Sequence, residues 1–351
     1  MYLLQQYNGG NDPQRGGVYS MGHGFCNPYA EPEWKREKRR IRSAGNGIGF
    51  ASIGYVLISF GAAAAMYAII GVLNALSGAY LMNVGETAQW TVTLATYMLS
   101  LIIPFGIYML CIKMPLSVAL PFRKLRGDIT AGGIFVGLGA GIVASYATSY
   151  LEQALGFFGI GISMPDLDIP QALPAKILYI VTMTVAPAFI EEMVFRGIVM
   201  QSLRRFGDMF ALVSSALIFG IFHLNLIQIP YAFILGLCIG YFVMRTGSLW
   251  VGIIMHFLNN GIATLLTLAE PYCSENLFLL INLVYSFFAV TAGIIALCIL
   301  LLKYRDMFHF GKSPSVLSPG KRAQYFLTSP ALIIAMLIAV IMTADYIQIL
   351  W

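Results

Sequence analysis

The stretch Ala186-Pro187-Ala188-Phe189-Ile190-Glu191-Glu192-Met193-Val194-Phe195-Arg196-Gly197 decides how the chain is read. It sets two adjacent carboxylates and a guanidinium in the middle of an apolar run, 173–203. A bilayer crossing takes about 20 mostly apolar residues, so this run is long enough to span. Most of the remaining chain is equally apolar. Hydrophobic residues make up 58% of the 351 residues and charged residues 11%, against roughly 25% charged in an average soluble domain. So few charges cannot cover the surface of a soluble protein of this size, and lipid must solvate most of it.

Further apolar runs flank the first, at 48–77, 89–112, 129–157, 208–225, 228–245, 248–268, 276–302 and 325–349. The expected fold is an all-α, polytopic transmembrane helix bundle of about eight to nine spans, enclosing an intramembrane cavity that faces the cytoplasm. Residues 1–43 are rich in Gly, Asn, Tyr and Pro, lack apolar periodicity and end in the basic run Lys35 to Arg42. They are expected to form a disordered cytoplasmic tail. Residues 44–171 then supply N-terminal membrane helices, 172–268 the polar-bearing core, and 269–351 the C-terminal helices. No secretory signal peptide is expected, since the first apolar run starts near Ile48.

Placing the tail in the cytoplasm and alternating the spans puts 19 of the 21 basic residues in inner segments. Lys176 falls outside and Arg196 within a span. This asymmetry predicts a multi-pass cell-membrane protein with a cytoplasmic N-terminus and an external C-terminus. The net charge of +5 lies in short clusters at segment ends, which suits membrane orientation and not nucleic-acid binding. The five cysteines show no CxxC spacing and are expected to be packing residues. Gly133, Gly137 and Gly141 repeat every four residues, as do Gly236 and Gly240; such faces let helices approach closely. No internal repeat of the transporter kind is visible.

Ionisable residues at membrane depth cost about 2.5–3.5 kcal/mol each and mark function by default. Glu192 and Arg196 are i, i+4 and share a helix face, so a self-neutralising pair accounts for them. Glu191 points about 100° away and has no partner in its own helix. Downstream come Phe219-Gly220-Ile221-Phe222-His223 and His256-Phe257-Leu258-Asn259-Asn260, with His256 and Asn260 on one face. The other two histidines, His23 and His309, lie in polar segments. At ~1.5 Å per residue, counted from the cytoplasmic span ends, Glu191, His223, His256 and Asn260 reach roughly 20, 22, 12 and 18 Å. One cavity can therefore hold all four.

These residue types suit amide hydrolysis by an activated water. A carboxylate beside a neutral imidazole takes a proton from water. A neighbouring guanidinium and a second carboxylate set which group holds it. A His and an Asn on one face are donors to an oxyanion. No Ser or Cys has a base partner, which disfavours a covalent nucleophile. Glu and two His are also zinc ligands, although the HExxH spacing is absent. Proton-coupled transport and a non-catalytic membrane scaffold are further readings of the same residues.

Taken in order, Glu-Glu-x-x-x-Arg, Phe-x-x-x-His and His-x-x-x-Asn resemble the CAAX protease and bacteriocin-processing family (CPBP, or Abi), and within it the type II CAAX prenyl endopeptidases. The resemblance covers 172–268. It implies an intramembrane glutamate endopeptidase in which Glu191 activates water with help from His223. Glu192 and Arg196 would support them, His256 and Asn260 would stabilise the oxyanion, and Phe219 would pack. It also implies a peptide or membrane-protein substrate entering from membrane or cytoplasm, no required cofactor with zinc as the alternative, and no nucleic acid. Protein processing, bacteriocin processing and self-immunity are all roles the family admits.

Overall fold

A computed structural model describes residues 31–77, 85–163, 168–311, 313 and 315–350. The chain is an all-α helix bundle. Its main helices are α1 (Glu33–Ser77), α2 (Glu86–Cys111), α3 (Gly127–Phe157), α4 (Leu173–Phe206), α5 (Asp208–Ile221), α6 (Gln228–Thr246), α7 (Leu249–Ala269), α8 (Glu275–Lys303), α9 (Pro319–Leu327) and α10 (Pro330–Ala344). Helices dominate because lipid offers no partner to a backbone N–H or C=O, so each segment must satisfy its own. The ends follow local chemistry. Ser274 and Ser318 cap α8 and α9 through their side chains. Gly247, at φ +66°, closes α6 in the left-handed conformation.

Among the described residues, seven helices are long and apolar enough to cross a membrane, and α9 with α10 makes an eighth if the bent pair counts as one span. This corrects two of the nine individual runs, and the expected tail is corrected with them. The run 208–225 yields only the 14-residue α5, about 21 Å long at 1.5 Å per residue and short of a hydrocarbon core of about 30 Å. The run 325–349 breaks at Thr328-Ser329-Pro330, where the chain bends by 70°; Pro330 has no N–H to continue the ladder. The third correction concerns the expected disordered tail. Its residues 1–30 lie outside the described residues, but Glu33–Ser43 form the first turns of α1, with Ile41, Ala44 and Ile48 buried on one face.

Polar contacts fix which loops share an end of the bundle. At one end, Glu86 accepts from the Gln171 and Ala172 amides. There too Asn225 donates to the Ser163 carbonyl, and β1 (Ile160–Ile162) pairs antiparallel with β2 (Ile347–Ile349). At the other end, Ser248 donates to the Arg123 carbonyl and Arg245 to that of Asp306. Arg322 donates to the Phe206 carbonyl, and Lys303 pairs with Asp128 at 2.7 Å. The basic segments thus gather at one end.

The glycine rows work as close-approach faces. Where a Cβ would stand at Gly133, Gly137 and Gly141, side chains of Phe242, Met255 and Asn259 already pack, so this row of α3 seats α6 and α7. Gly49 is tighter still: a Cβ there would lie 2.3 Å from the Leu332 amide nitrogen and 2.4 Å from the Ala331 carbonyl carbon. Backbone cannot step aside as a side chain can. Gly49→Ala is therefore expected to cost about 1–3 kcal/mol, read as a lower unfolding temperature in detergent. Gly132→Ala, which meets only the flexible tip of Leu300 at 2.7 Å, is expected to cost less.

Candidate active site

The site is built around α4, which departs from α geometry twice. Val181–Val185 and Glu192–Val199 are π-helical, with the α-helical turns Ala186–Glu191 between them. Such wide turns are rare and concentrate at functional sites. Proline has no N–H, so in α register Pro187 leaves the Met183 carbonyl without its i+4 donor. Asn260 of α7 supplies one: its Nδ2 donates to the Met183 oxygen at 3.3 Å.

Immediately after this turn the charged residues meet. Glu192 is wholly buried, and its Oε1 accepts from Arg196 Nη1 at 2.6 Å and from His256 Nδ1 at 2.9 Å. A carboxylate can only accept, so Nδ1 of His256 carries hydrogen. The other ring nitrogen, Nε2, faces Glu191 Oε2 at 3.7 Å. His256 thus stands between the two glutamates. Arg196, 1% exposed, lays its guanidinium over the Phe219 ring at 4.1 Å. Burying this pair costs several kcal/mol per ion; the short contact, the imidazole and the ring face offset it.

Phe219 does more than the packing expected of it. Its ring meets Arg196 on one face and makes edge contacts with His223 and His256, at centroid distances of 5.0 and 5.9 Å. His223, in the turn that ends α5, directs Nδ1 to the Phe219 carbonyl at 3.0 Å. A carbonyl only accepts, so Nδ1 is the donor and a neutral ring keeps its lone pair on Nε2. Glu191 and Arg196 lie within Coulombic range of this imidazole.

Glu191, Glu192, Arg196 and His256 are therefore in direct contact, and His223 joins them through Phe219. Asn260 bonds to none of them. Its amide is tied to Met183 and, more weakly, to Asn259 Nδ2 at 3.4 Å. Asn259 is in turn paired with the Tyr231 hydroxyl, at 2.9 and 3.1 Å. Sequence reasoning missed Tyr97 of α2, whose hydroxyl donates to Glu191 Oε1 at 2.8 Å. A lone Tyr in an apolar run 94 residues away carries no spacing signal; only its polarity at mid-span hinted at a partner. The expected single cavity also differs. A small, mainly apolar hollow of about 30 Å³ opens between α1, α5 and α10, lined by Ser52, Tyr55, Phe222, Leu332 and Met336 among others. None of the six motif residues lines it. Among the described residues, no three His, Cys, Asp or Glu side chains gather as a metal site.

Residues 173–262 match the family model described as type II CAAX prenyl endopeptidase Rce1-like. Over this segment the chain is similar to that family. The segment begins with α4, ends within α7 and contains all six motif residues, whereas Tyr97 and Tyr55 lie outside it. Over 119 residues the chain is 31% identical to the Bacillus subtilis (strain 168) protein named "Putative membrane peptidase YdiL", covering 32% of this chain and 47% of that protein. The chain thus spans about half the length of the curated relative it matches. No solved structure matches it.

Arg196→Met strands the Glu192 carboxylate in the buried core. Removing one partner of a buried pair costs about 3–5 kcal/mol, expected as a large drop in thermal stability in detergent. Glu192→Gln combined with Arg196→Met is expected to recover much of it. A double variant no more stable than Arg196→Met would show that the pair is not the unit of stability.

Proposed function

We propose that the chain is an intramembrane endopeptidase that hydrolyses a peptide bond with a water activated by Glu191 and His223. The observation that carries this reading is the arrangement around Glu191. Its carboxylate is the more exposed of the two, at 15% against 0% for Glu192, and one of its oxygens faces an imidazole. Glu192, with Oε1 engaged by Arg196 and His256, is left to orient. The Rce1-like match and the peptidase name of the relative support the same class of chemistry.

In the proposed step Glu191 accepts a proton from water and the oxygen attacks the carbonyl carbon. His223 Nε2, holding the free lone pair, accepts a hydrogen bond from the same water. The oxyanion is met by Asn260, whose second amide hydrogen is not needed by Met183, and by His256. Because Nδ1 of His256 already serves Glu192, its Nε2 donates only from a ring carrying hydrogen on both nitrogens. The proton on Glu191 then passes to the leaving nitrogen as the C–N bond breaks, giving a carboxyl terminus and an amine. No step of this route requires a metal; zinc held at the same Nε2 atoms is the alternative that a chelator distinguishes. The substrate is a peptide or a membrane-tethered protein segment, and the chemistry is the same for a protein or a bacteriocin precursor. The basic end of the bundle, with the N-terminus, faces the cytoplasm of the cell membrane.

The test is cleavage of a membrane-tethered peptide library by full-length protein in detergent, with and without a zinc chelator. Wild-type cleavage is expected to survive the chelator, and Glu191→Gln to lower the rate by roughly a hundredfold or more. Cleavage lost to the chelator and restored by zinc would make the same residues metal ligands. A folded wild type that cleaves nothing would overturn the reading.

A further inference from the structure

We propose that Tyr97, on a helix outside the Rce1-like segment, is a positioning residue that fixes the orientation of the Glu191 carboxylate. The Tyr97 hydroxyl donates to Oε1 at 2.8 Å, while Oε2 faces His256 Nε2 at 3.7 Å. A bond at one oxygen and an imidazole at the other define the carboxylate plane. Without the phenol, Glu191 has only the longer contact to hold it, and its terminal torsion is intrinsically broad. A hydrogen bond to a carboxylate is also stronger than a neutral one.

The position of Tyr97 is itself over-determined. Tyr108, eleven residues further along α2, donates to Ser202 Oγ at 3.2 Å, and Ser202 lies eleven residues beyond Glu191. Eleven residues are close to three α-helical turns, so both tyrosines stand on one face of α2, and the two hydrogen bonds bring Glu191 and Ser202, at either side of the π-helical stretch of α4, to that face. The order of the two contacts makes the helices run in the same direction, and together they fix how α2 sits on α4. Trp90 packs edge-on against Tyr179 at 5.0 Å and Phe105 against Phe195 at 6.0 Å along the same seam. Tyr55 of α1 packs against Phe222, the neighbour of His223, with ring centroids 4.7 Å apart and the planes tilted by 43°. Two helices without motif residues thus brace the carboxylate that the motif supplies.

The proposal uses the protease reading only for its kinetic consequence, so its test has a spectroscopic arm and a kinetic arm. In the first, infrared spectra of full-length protein labelled with ¹³C-carboxyl glutamate are compared. The carboxylate band of Glu191 is assigned by its loss in Glu191→Gln. It is expected to move in Tyr97→Phe, which removes one oxygen atom and leaves the ring in place. If Tyr97→Phe does not fold, 3-fluorotyrosine placed at 97 keeps the hydroxyl as a stronger donor and is expected to move the band in the opposite direction. In the kinetic arm, Tyr97→Phe is expected to lower kcat by roughly tenfold with KM little changed. A Glu191 band at its wild-type position in a folded variant overturns the proposal, whether or not the protein cleaves anything. So does a band shift accompanied by wild-type kcat. Absence of cleavage by wild type with the band shift intact would instead strike the protease reading.

Discussion

The buried ion pair between Glu192 and Arg196 is the constraint on which the rest of the structure depends. Neither group has access to water, so each must be satisfied by protein. Arg196 comes from α4, the ring beneath it from α5, and the imidazole on Glu192 from α7. Three helices are therefore pinned by one pair. The glycines complete the arrangement: a Cβ at Gly252 would lie 2.7 Å from Glu192 Oε2, and one at Gly236 3.3 Å from Arg196 Nη2. Both atoms lack a hydrogen-bond partner among the described residues. α6 and α7 can approach the charges only because those two positions have no side chain.

With Glu192 committed to Arg196 and His256, its neighbour Glu191 is left partly exposed. Adjacent residues on a helix point in different directions, so Glu191 faces away from Arg196 and toward the gap between His256 and Tyr97. One carboxylate anchors and the other remains partly accessible. The two histidines divide in the same way. A carboxylate at Nδ1 of His256 and a carbonyl at Nδ1 of His223 fix both tautomers without any contact between the rings. The wide turns of α4 set this geometry, and Asn260 stabilises the first of them through the carbonyl that Pro187 cannot serve.

Much of this was legible in the sequence because it is local. The i, i+4 relation of Glu192 and Arg196 and the shared face of His256 and Asn260 follow from helix period alone. Depth counting set His256 about 8 Å from Glu191 and Asn260 nearer, whereas His256 contacts both glutamates and Asn260 neither. What was not legible is either non-local or set by irregular backbone. Tyr97 and Tyr55 come from helices that no motif marks. The bond from Asn260 to Met183 depends on a π-helical register that composition does not reveal. The break at Pro330 was visible in principle, since proline ends a helix ladder, but the apolar composition around it masked the signal. At the N-terminus the opposite happened: charges from Glu33 to Arg42 hid a buried face whose apolar positions, Ile41, Ala44 and Ile48, keep helical spacing.

The most direct test of a water activated inside this cluster is the fate of the solvent oxygen. Cleavage of a membrane-tethered peptide by the full-length protein in ¹⁸O-labelled water, read by mass spectrometry, reports which atom forms the new bond. The mechanism predicts one ¹⁸O in the newly formed carboxyl terminus of the first turnover and no covalent adduct on the protein. A peptide–protein adduct that precedes the labelled product would contradict it, by placing a side-chain nucleophile where Glu191 and water are proposed to act.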